Sequence, residues 1–359
     1  MNILGLDIGG ANTKAALVQF SNDKMINSIS YIEFFPFWER NINEIVKMFK
    51  RIKKIVIAKN KFEIKEIEYI AVTITAELSD AFQTKKEGII TILDALGQVF
   101  DKERMFFINN EGIYLTFSQV IQNPISIAAA NWVSTSLFLG NFLSKAILID
   151  AGSTTVDIIP ILDSKPVAQG RTDVERLINH ELIYTGGLRA TIPSITHFVL
   201  YKGKLIRIAF EKFALIADVH RILKNITEEA YNIDTADNRS KSLEECYARL
   251  SRIICMDTDT ISNEELNEIA KFIYEKQLEL IKSELNMFLN SLFKRLPQFK
   301  EATPFVITGL SSEFLIKKVL EELNYINIKS YEEITHISEK VGSSALAVAG
   351  AYYYELLKD

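Results

Sequence analysis

Cysteine and histidine are scarce in this chain, with two cysteines and four histidines among 359 residues. The two thiols, Cys246 and Cys255, do not form a Cys-x-x-Cys pair, and no histidine accompanies them at the spacing of metal ligands. A histidine-ligated zinc site is therefore not expected. We expect both cysteines to be buried, inert thiols of a reducing compartment.

The chain also lacks long apolar runs and an excess of basic residues. No run approaches the ~18–20 apolar residues of a spanning helix, so we expect no membrane partner. No basic segment or cleavage site precedes the first predicted strand, which favours a cytoplasmic location. The net charge of −5 argues against nucleic acid as a partner, because phosphate backbones select basic surfaces. A small anionic ligand is compatible with this net charge, since a few backbone N–H groups can bind phosphate on an acidic protein.

What the sequence does contain is one pattern present twice, at residues 3–17 (ILGLDIGGANTKAAL) and 147–161 (ILIDAGSTTVDIIPI). In each copy a run of β-forming residues ends in aspartate, a turn of small residues follows, and a second β-run begins. Three positions correspond: Asp7 with Asp150, Gly9 with Gly152, and Gly10 with Ser153. One such turn is an ordinary hairpin signal, but its duplication favours a phosphate-binding hairpin.

The two turns supply the residue types that a magnesium and phosphate site needs. Mg²⁺ prefers one or two carboxylates together with phosphate oxygens, so Asp7 and Asp150 are candidate metal-binding and catalytic residues. Small residues let the backbone approach a phosphate, and amide, hydroxyl and ammonium groups donate hydrogen bonds to its oxygens. The candidate phosphate-binding residues are Gly9, Gly10, Asn12, Thr13, Lys14, Gly152, Ser153, Thr154 and Thr155. The alternative is a pair of plain hairpins with polar tips.

Hydrophobic periodicity predicts a mixed α/β chain. The predicted elements up to residue 110 are three strands within 2–35, a helix over 41–59, a strand over 70–75, a helix over 85–100 and a strand over 104–108. This order gives a mixed sheet flanked by helices. The later predicted elements are a strand over 181–184, a hairpin over 195–208, helices from 214 to 296 with the longest over 264–296, and a strand over 305–308.

Acidic side chains follow two of the predicted strands. Glu77, a candidate catalytic base, and Asp80, a candidate substrate-binding residue, lie just beyond the strand over 70–75. Residues at that position line the clefts of α/β sheets. A helix-capping or surface acidic pair is an equally good interpretation. Glu111, in the segment NNEG, is a further candidate catalytic residue, and a turn-forming role explains it at least as well.

Two later segments offer candidate substrate-binding residues. The segment FVITGLSSEFL joins a strand to a helix through Gly309 and Ser311, and such a joint can bind an anion or nucleotide at the helix N-terminus. The segment HELIYTGGLR offers Tyr184 and Arg189, and an arginine there can pair with a phosphate or a carboxylate. Both segments also fit ordinary turns, and the role of His180 is left undecided.

Other charged side chains have plain structural explanations. Asp173 and Arg176 are expected to form an exposed ion pair. Arg249 and Arg252 are expected on a solvated helix face, and His220 is expected to be a packing residue.

With these motifs in order (DIGG, DAGSTT, ITGLSS and a final GSSALAVAGA) the chain resembles the superfamily of actin, sugar kinases and heat-shock chaperones. The resemblance implies an α/β fold of two ribonuclease-H-like domains, as in actin-like ATPases, with mixed sheets flanked by helices and facing a central cleft. The implied domains are 1–132 with the first phosphate loop, 133–340 with the second phosphate loop and a helical insertion, and a C-terminal helix over 341–359 that returns to the first domain.

Three longer segments, TITAELSDAFQTKKEGI, AAANW and GRTDVERLINHELIYTGGLRAT, resemble the hydantoinase/oxoprolinase-like archaeal proteins linked to one-carbon metabolism. That resemblance implies a transferase of methanofuran biosynthesis. It condenses the phenol of γ-glutamyltyramine with an aminomethyl-furanmethanol diphosphate and releases diphosphate. It implies a small phosphorylated substrate, Mg²⁺ as the cofactor and no need for ATP. The oligomeric state is left open, a homodimer included.

Two other classes of function are kept. The first is an ATP-dependent kinase or a hydantoinase-like hydrolase of the same fold, and the second is a non-catalytic nucleotide-binding regulator. The segment GLSSEF has fewer glycines than the adenosine loops of enzymes that use ATP, which disfavours the first.

Overall fold

The computed structural model describes residues 1–22, 24–39, 41–58, 67–300, 302–337 and 343–358. Its contacts divide the chain into two compact units. The first unit comprises Met1–Ala146, Ile159–Arg176 and Tyr331–Asp359, and the second comprises Ile147–Ile158 and Leu177–Ser330. Because the chain passes between the units more than once, each unit combines segments that are far apart in sequence.

The first sheet lies wholly in the first unit. Its strands are β1 (Asn2–Ile8), β2 (Asn12–Ser21), β3 (Lys24–Phe34), β4 (Tyr69–Ile74), β5 (Met105–Ile108) and β6 (Tyr114–Thr116). They run in the order β3-β2-β1-β4-β5-β6. Strand β1 is antiparallel to β2 and parallel to β4, and β4 is parallel to β5. The mixed sheet predicted for this part of the chain is confirmed.

Helices bury one face of this sheet. The helices in this part are α1 (Ile45–Ala58), α2 (Lys85–Gly97), α3 (Phe117–Gln122) and α4 (Asn131–Gly140). Alternate residues of β1, Leu4, Leu6 and Ile8, pack in one cluster with Phe49 of α1 and Ile92 of α2. Side chains of a strand alternate between its two faces, so this stripe fixes which face of β1 the two helices cover.

The second sheet is also mixed. The remaining strands are β7 (Lys145–Ala151), β8 (Val156–Leu162), β9 (Lys165–Pro166), β10 (Leu182–Ile183), β11 (Phe198–Tyr201), β12 (Lys204–Arg207), β13 (Phe305–Thr308) and β14 (Ile328–Ser330). Five of them run in the order β10-β8-β7-β13-β14, with β9 paired to β8, while β11 and β12 form the predicted hairpin. Strand β13 is parallel to β7 and to β14.

The second half of the chain is rich in helices. They are α5 (Asp173–Ile178), α6 (Ile216–Ile222), α7 (Leu243–Arg252), α8 (Asn263–Arg295), α9 (Lys317–Glu322), α10 (Tyr331–Thr335) and α11 (Ser343–Leu356). The predicted long helix is α8, which begins with a capping box between Ser262 and Glu265. Its buried residues Ile269 and Ile273 pack in one cluster with Val219 of α6.

The boundaries of the two compact units lie at different residues from the boundaries of the predicted domains. Helix α4 and the segment Ile159–Arg176 belong to the first unit, whereas the predicted boundary near 132 assigned both to the second domain. Helix α4 packs against α11 within the first unit, which explains where it is placed. The predicted C-terminal helix is α11, and of its predicted range residues 341, 342 and 359 lie outside the described residues. The division into two ribonuclease-H-like domains around a cleft stays a prediction.

Two expectations about single side chains are wrong. Cys246 is buried as expected, but Cys255 is exposed. Arg249 does not lie on a solvated face: its side chain is buried, and its guanidinium donates to Asp218 at 2.8 Å and Asp237 at 3.0 Å. Among the described residues, no helix is both long enough and apolar enough to cross a membrane.

Candidate functional site

The first turn (residues 9–11) connects β1 to β2. The hairpin register pairs Ile8 with Thr13 and Asp7 with Lys14. The N–H of Gly9 donates to the carbonyl of Asn12 at 3.1 Å, which closes the turn. The turn therefore lies directly beyond Asp7, the first residue of the pattern Asp-x-Gly.

The carboxylate of Asp7 is buried and accepts hydrogen bonds from two other elements of the first unit. The Thr73 hydroxyl of β4 donates to Oδ1 at 3.3 Å, and the Ser344 hydroxyl of α11 donates to Oδ2 at 2.6 Å. Lys14 Nζ donates to Ser344 Oγ at 3.0 Å and lies 3.6 Å from Asp7 Oδ2. Both oxygens of Asp7 are thus engaged, and Lys14 balances their charge.

Two predicted phosphate-binding residues of this hairpin have local contacts instead. The Thr13 hydroxyl donates to the Met48 sulfur at 3.6 Å, inside the core. Asn12 is half-buried, and its carbonyl accepts the Gly9 N–H. Contacts of these residues with phosphate stay a prediction.

The second turn (residues 152–155) repeats the first. The N–H of Gly152 donates to the carbonyl of Thr155 at 2.9 Å, which matches the bond that closes the first turn. The two copies of the sequence pattern therefore form the same local structure.

The second turn is held by its backbone. Three carbonyls of the turn accept hydrogen bonds from the N–H groups of residues 186–189. Gly152 O accepts from Gly187 at 3.0 Å, Ser153 O accepts from Leu188 and Arg189 at 2.9 and 3.1 Å, and Thr154 O accepts from Gly186 at 2.9 Å. In a trans peptide the C=O and the following N–H point to opposite sides. The N–H groups of Ser153, Thr154 and Thr155 consequently point away from residues 186–189. Successive N–H groups on one side form the kind of concavity that binds anions.

Two glycines make this close packing feasible. A Cβ at Gly186 would lie 2.7 Å from each of Gly152 O, Ser153 C and Thr154 N. Gly309 has a φ of +92°, and a Cβ there would lie 2.4 Å from Ala151 O and 2.6 Å from Asp150 Oδ1. Both positions require glycine because backbone atoms cannot move aside as a flexible side chain can.

The other candidates in the second unit divide into buried and exposed residues. Ser311 is buried, and its hydroxyl and its N–H both donate to Ala151 O, at 3.0 and 2.9 Å. Tyr184 and Arg189 are exposed. His180 Nδ1 lies 2.7 Å from Glu284 Oε2. The substrate-binding roles predicted for Gly309, Ser311, Tyr184 and Arg189 stay predictions.

A buried chain of hydrogen bonds supports the segment that packs against the second turn. Gln277 of α8 donates from Nε2 to the Thr185 hydroxyl and to the Gly186 carbonyl, both at 3.0 Å. Its Oε1 lies 2.9 Å from Nε2 of His220, and Asn225 Nδ2 lies 3.1 Å from His220 Nδ1. Burial lowers the pKa of His220 to about 3, so the ring is neutral near pH 7 and Nε2 is assigned as its donor to Gln277. The predicted packing histidine is therefore also a hydrogen-bonding residue.

Glu77 lies at the same sheet edge as the first turn. Parallel strands β1 and β4 end in register at Ile8 and Ile74, and the Thr75 N–H donates to Ile8 O at 2.8 Å. Two residues later, Glu77 is only 2% exposed, and its Oε2 has no hydrogen-bond partner within the described part of the chain. Burial raises the pKa of Glu77 to about 7, and the nearby Lys85 opposes that rise.

Two charged groups of the first unit, Lys85 and Asp173, lie near enough to Glu77 to influence its pKa. Lys85 Nζ lies 2.9 Å from Asp173 Oδ2. The expected exposed pair of Asp173 and Arg176 is wrong because Arg176 is buried. Arg176 is only 1% exposed, and its guanidinium lies 4.5 Å from the centre of the Trp132 ring. Sequence reasoning assigned no functional role to Lys85, Arg176 or Trp132, although the segments AAANW and GRTDVER carry two of them.

Two further acidic candidates, Asp80 and Glu111, are exposed. Asp80 is exposed in the turn that follows Glu77. The N–H groups of Glu111 and Ile113 both donate to Asn109 Oδ1 at 2.9 Å, so NNEG forms the turn between β5 and β6 and Glu111 is exposed. The turn-forming interpretation is confirmed, and a catalytic role for Glu111 stays a prediction.

Metal binding has limited protein donors. No group of three or more His, Cys, Asp and Glu side chains at metal-binding geometry occurs in the ranges that the structure describes. Mg²⁺ commonly keeps several waters and uses one or two carboxylates with substrate phosphates. Because both oxygens of Asp7 already accept hydrogen bonds, the residues fit a hydrated ion held through its waters.

Comparisons with known proteins agree on one family. Residues 68–354 match the model of the hydantoinase/oxoprolinase family. A protein of Methanocaldococcus jannaschii is 37% identical over 328 residues, which cover 91% of each chain. A protein of Methanococcus vannielii is 36% identical over 196 residues, 54% of this chain and 84% of the other. Both are named as the synthase of a furan methanamine that bears a γ-glutamylaminoethyl-phenoxymethyl group.

A solved structure supports the fold. The nucleotide-free structure of acetone carboxylase matches 97% of this chain and 70% of its own, with a TM-score of 0.51 and 11% identity. At that identity the likeness shows the fold alone. The predicted α/β class with mixed sheets flanked by helices is confirmed.

Proposed function

The chain belongs to the hydantoinase/oxoprolinase family, and we propose that it is the transferase that joins γ-glutamyltyramine to an aminomethyl-furanmethanol diphosphate in methanofuran biosynthesis. The observation that carries this proposal is the 37% identity over 91% of both chains to the synthase of M. jannaschii. The product in that synthase's name is an aryl ether, in which a phenol oxygen is joined to a furylmethyl carbon. We propose further that the enzyme works in the archaeal cytoplasm with Mg²⁺ as its cofactor.

The reaction requires a leaving group that departs with the electron pair of its bond. The phenol oxygen forms a bond to the furylmethyl carbon, the bond from that carbon to the diphosphate oxygen breaks, and the phenolic proton goes to a base. The electron-rich furan stabilises positive charge on the adjacent carbon. The protein's tasks are to bind diphosphate, to balance its growing charge and to accept the proton.

The second turn suits the binding of diphosphate. Its N–H groups point away from residues 186–189 and need no side chain to donate to phosphate oxygens. Donors fixed in place before the reaction stabilise developing negative charge without a reorganisation cost. In the first unit Lys14 supplies a positive charge beside Asp7. A hydrated Mg²⁺ at Asp7 would add further positive charge to that of Lys14.

The test is a reaction without ATP. Purified protein is incubated with γ-glutamyltyramine, the furanmethanol diphosphate and Mg²⁺. Diphosphate is followed by phosphorus NMR, and the ether is followed by mass spectrometry. We expect stoichiometric diphosphate and ether. Turnover only on addition of ATP would contradict the proposal and favour a kinase or hydrolase, and nucleotide binding with no turnover would favour a regulator.

A further inference from the structure

The buried polar atoms of the first unit that lack a partner among the described residues include Glu77 Oε2, Ser79 Oγ and Trp132 Nε1. Buried polar side-chain atoms are nearly always hydrogen-bonded in native proteins. A buried polar atom that the fold leaves unpaired is a candidate for a hydrogen bond to a bound ligand. Together the three atoms offer an acceptor, a hydroxyl that can donate or accept, and an N–H donor.

The backbone brings the segments that carry these atoms together. Ile74 of β4 forms a parallel bridge with Ala128, and the N–H of Ala129 donates to Ile74 O at 3.1 Å. Glu77 and Ser79 follow Ile74 directly, and Trp132 lies in the first turn of the helix that follows Ala129. Ligands of α/β sheets bind beyond the carboxyl ends of parallel strands, which is where this cluster lies.

A helix-capping role for Glu77 does not fit. Helix α2 is capped by Thr84, whose side chain accepts the Glu87 N–H at 3.1 Å. Capping of α2 therefore does not explain why the Glu77 carboxyl group is buried.

The charges that face Glu77 leave it able to accept a proton. Lys85 of α2 favours its ionised form, and Asp173 of α5 disfavours it. Those two side chains also form an ion pair with each other at 2.9 Å. On the same helix as Asp173, the buried Arg176 lies over the Trp132 ring. A base is most effective when its pKa lies near the working pH, and burial brings the pKa of Glu77 to about 7.

We propose that Glu77 accepts the phenolic proton of the acceptor substrate, and that Ser79 and Trp132 help to bind that substrate beside it. This rests on the transferase function proposed above. As the phenol oxygen bonds to the furylmethyl carbon, its proton passes to Glu77 Oε2, and the electron pair of the broken carbon–oxygen bond leaves with diphosphate.

The experiment compares the pH dependence of kcat/KM for the wild type, Glu77→Gln and Glu77→Asp, with Asp94→Asn as a control. Asp94 is an exposed carboxylate on α2, so its change alters charge without touching the cluster. For the wild type and Asp94→Asn we expect a rate that rises through about pH 7. For Glu77→Gln we expect that rise to disappear and the rate to fall by about 10²–10⁴-fold. Glu77→Asp should retain part of the rate and the rise.

A second acceptor separates chemistry from folding. A ring-fluorinated γ-glutamyltyramine has a more acidic phenol and needs a base less. We expect it to restore Glu77→Gln by tenfold or more relative to the wild type, which a merely misfolded variant could not show. An unchanged pH profile in Glu77→Gln, or no selective gain with the fluorinated acceptor, would overturn the assignment of Glu77 alone. Absence of ether formation by the wild type would overturn the transferase function and this inference with it.

Discussion

The two turns share a sequence pattern and a closing hydrogen bond, yet different atoms hold them in place. In the first turn, side chains from β4 and α11 fix the Asp7 carboxylate. In the second turn, main-chain N–H groups of residues 186–189 fix the backbone carbonyls. The two turns therefore share a motif but differ in the groups that support it. The first copy presents an anchored carboxylate with a lysine, and the second presents backbone N–H groups.

The most damaging substitution predicted by this comparison is Gly186→Ala. Its Cβ would lie 2.7 Å from three backbone atoms of the second turn, and a packed backbone cannot yield without moving the turn. We expect a loss of about 3 kcal/mol of unfolding free energy and loss of diphosphate binding. Urea denaturation and calorimetric titration with inorganic diphosphate measure the two effects.

The matched control is Gly10→Ala in the first turn. The nearest atom that its Cβ would meet is Cζ3 of Trp38 at 4.0 Å. We expect its free energy of unfolding to stay within about 0.5 kcal/mol of the wild type. Equal losses at the two glycines would show that the turns are supported alike.

The second prediction compares Ser344→Ala with Ser311→Ala. Ser344 donates to the buried Asp7 carboxylate and accepts from Lys14, so its loss leaves a charged oxygen short of a partner. We expect a cost of about 2 kcal/mol. Ser311→Ala should cost about 1 kcal/mol, since the Ser311 N–H still donates to Ala151 O. Urea denaturation of both variants checks the order, and a larger loss for Ser311→Ala would contradict it.

The contrast between the two turns also explains what sequence could predict. The pattern Asp-x-Gly between β-runs is local, so it predicted both turns, while hydrophobic periodicity predicted most of the flanking elements. The groups that hold Asp7 are not local, because Ser344 lies 337 positions away along the chain. Arg176 looked like a surface residue since arginine rarely buries, and only the fold brings the Trp132 ring to it. Long-range partners of polar groups have no periodicity that a single sequence reveals.

The third prediction uses opposite pH responses of one buried group in each unit. The pKa of Glu77 is raised from 4.5 to about 7. The contribution of this group to the free energy of unfolding is therefore fully present below pH 4.5 and is lost as the pH rises through 7. The pKa of His220 is lowered from 6.5 to about 3, so its contribution is present above 6.5 and is lost as the pH falls towards 3.

We therefore expect Glu77→Gln to be more stable than the wild type at pH 8, by on the order of 1 kcal/mol, and equal to it near pH 4. His220→Asn should flatten the loss of stability below pH 6.5. Urea denaturation of both variants from pH 4 to 8 measures these differences. If Glu77→Gln were less stable than the wild type at pH 8, the fold would stabilise the buried carboxylate, which would contradict the prediction.

The smallest predicted effect concerns backbone conformation beside each site. Near the second turn the positive φ of +92° is adopted by Gly309, whereas beside Glu77 a φ of +51° is adopted by Ala129. A positive φ costs alanine about 1 kcal/mol, and glycine loses a similar amount of free energy because it gives up more backbone freedom on folding. Ala129→Gly should therefore change the free energy of unfolding by less than about 0.5 kcal/mol. Ala130→Gly, whose φ is −98°, relieves no strain and should cost about 1 kcal/mol. Thermal denaturation of the pair measures the difference, and equal losses would show that the conformation of Ala129 is unstrained.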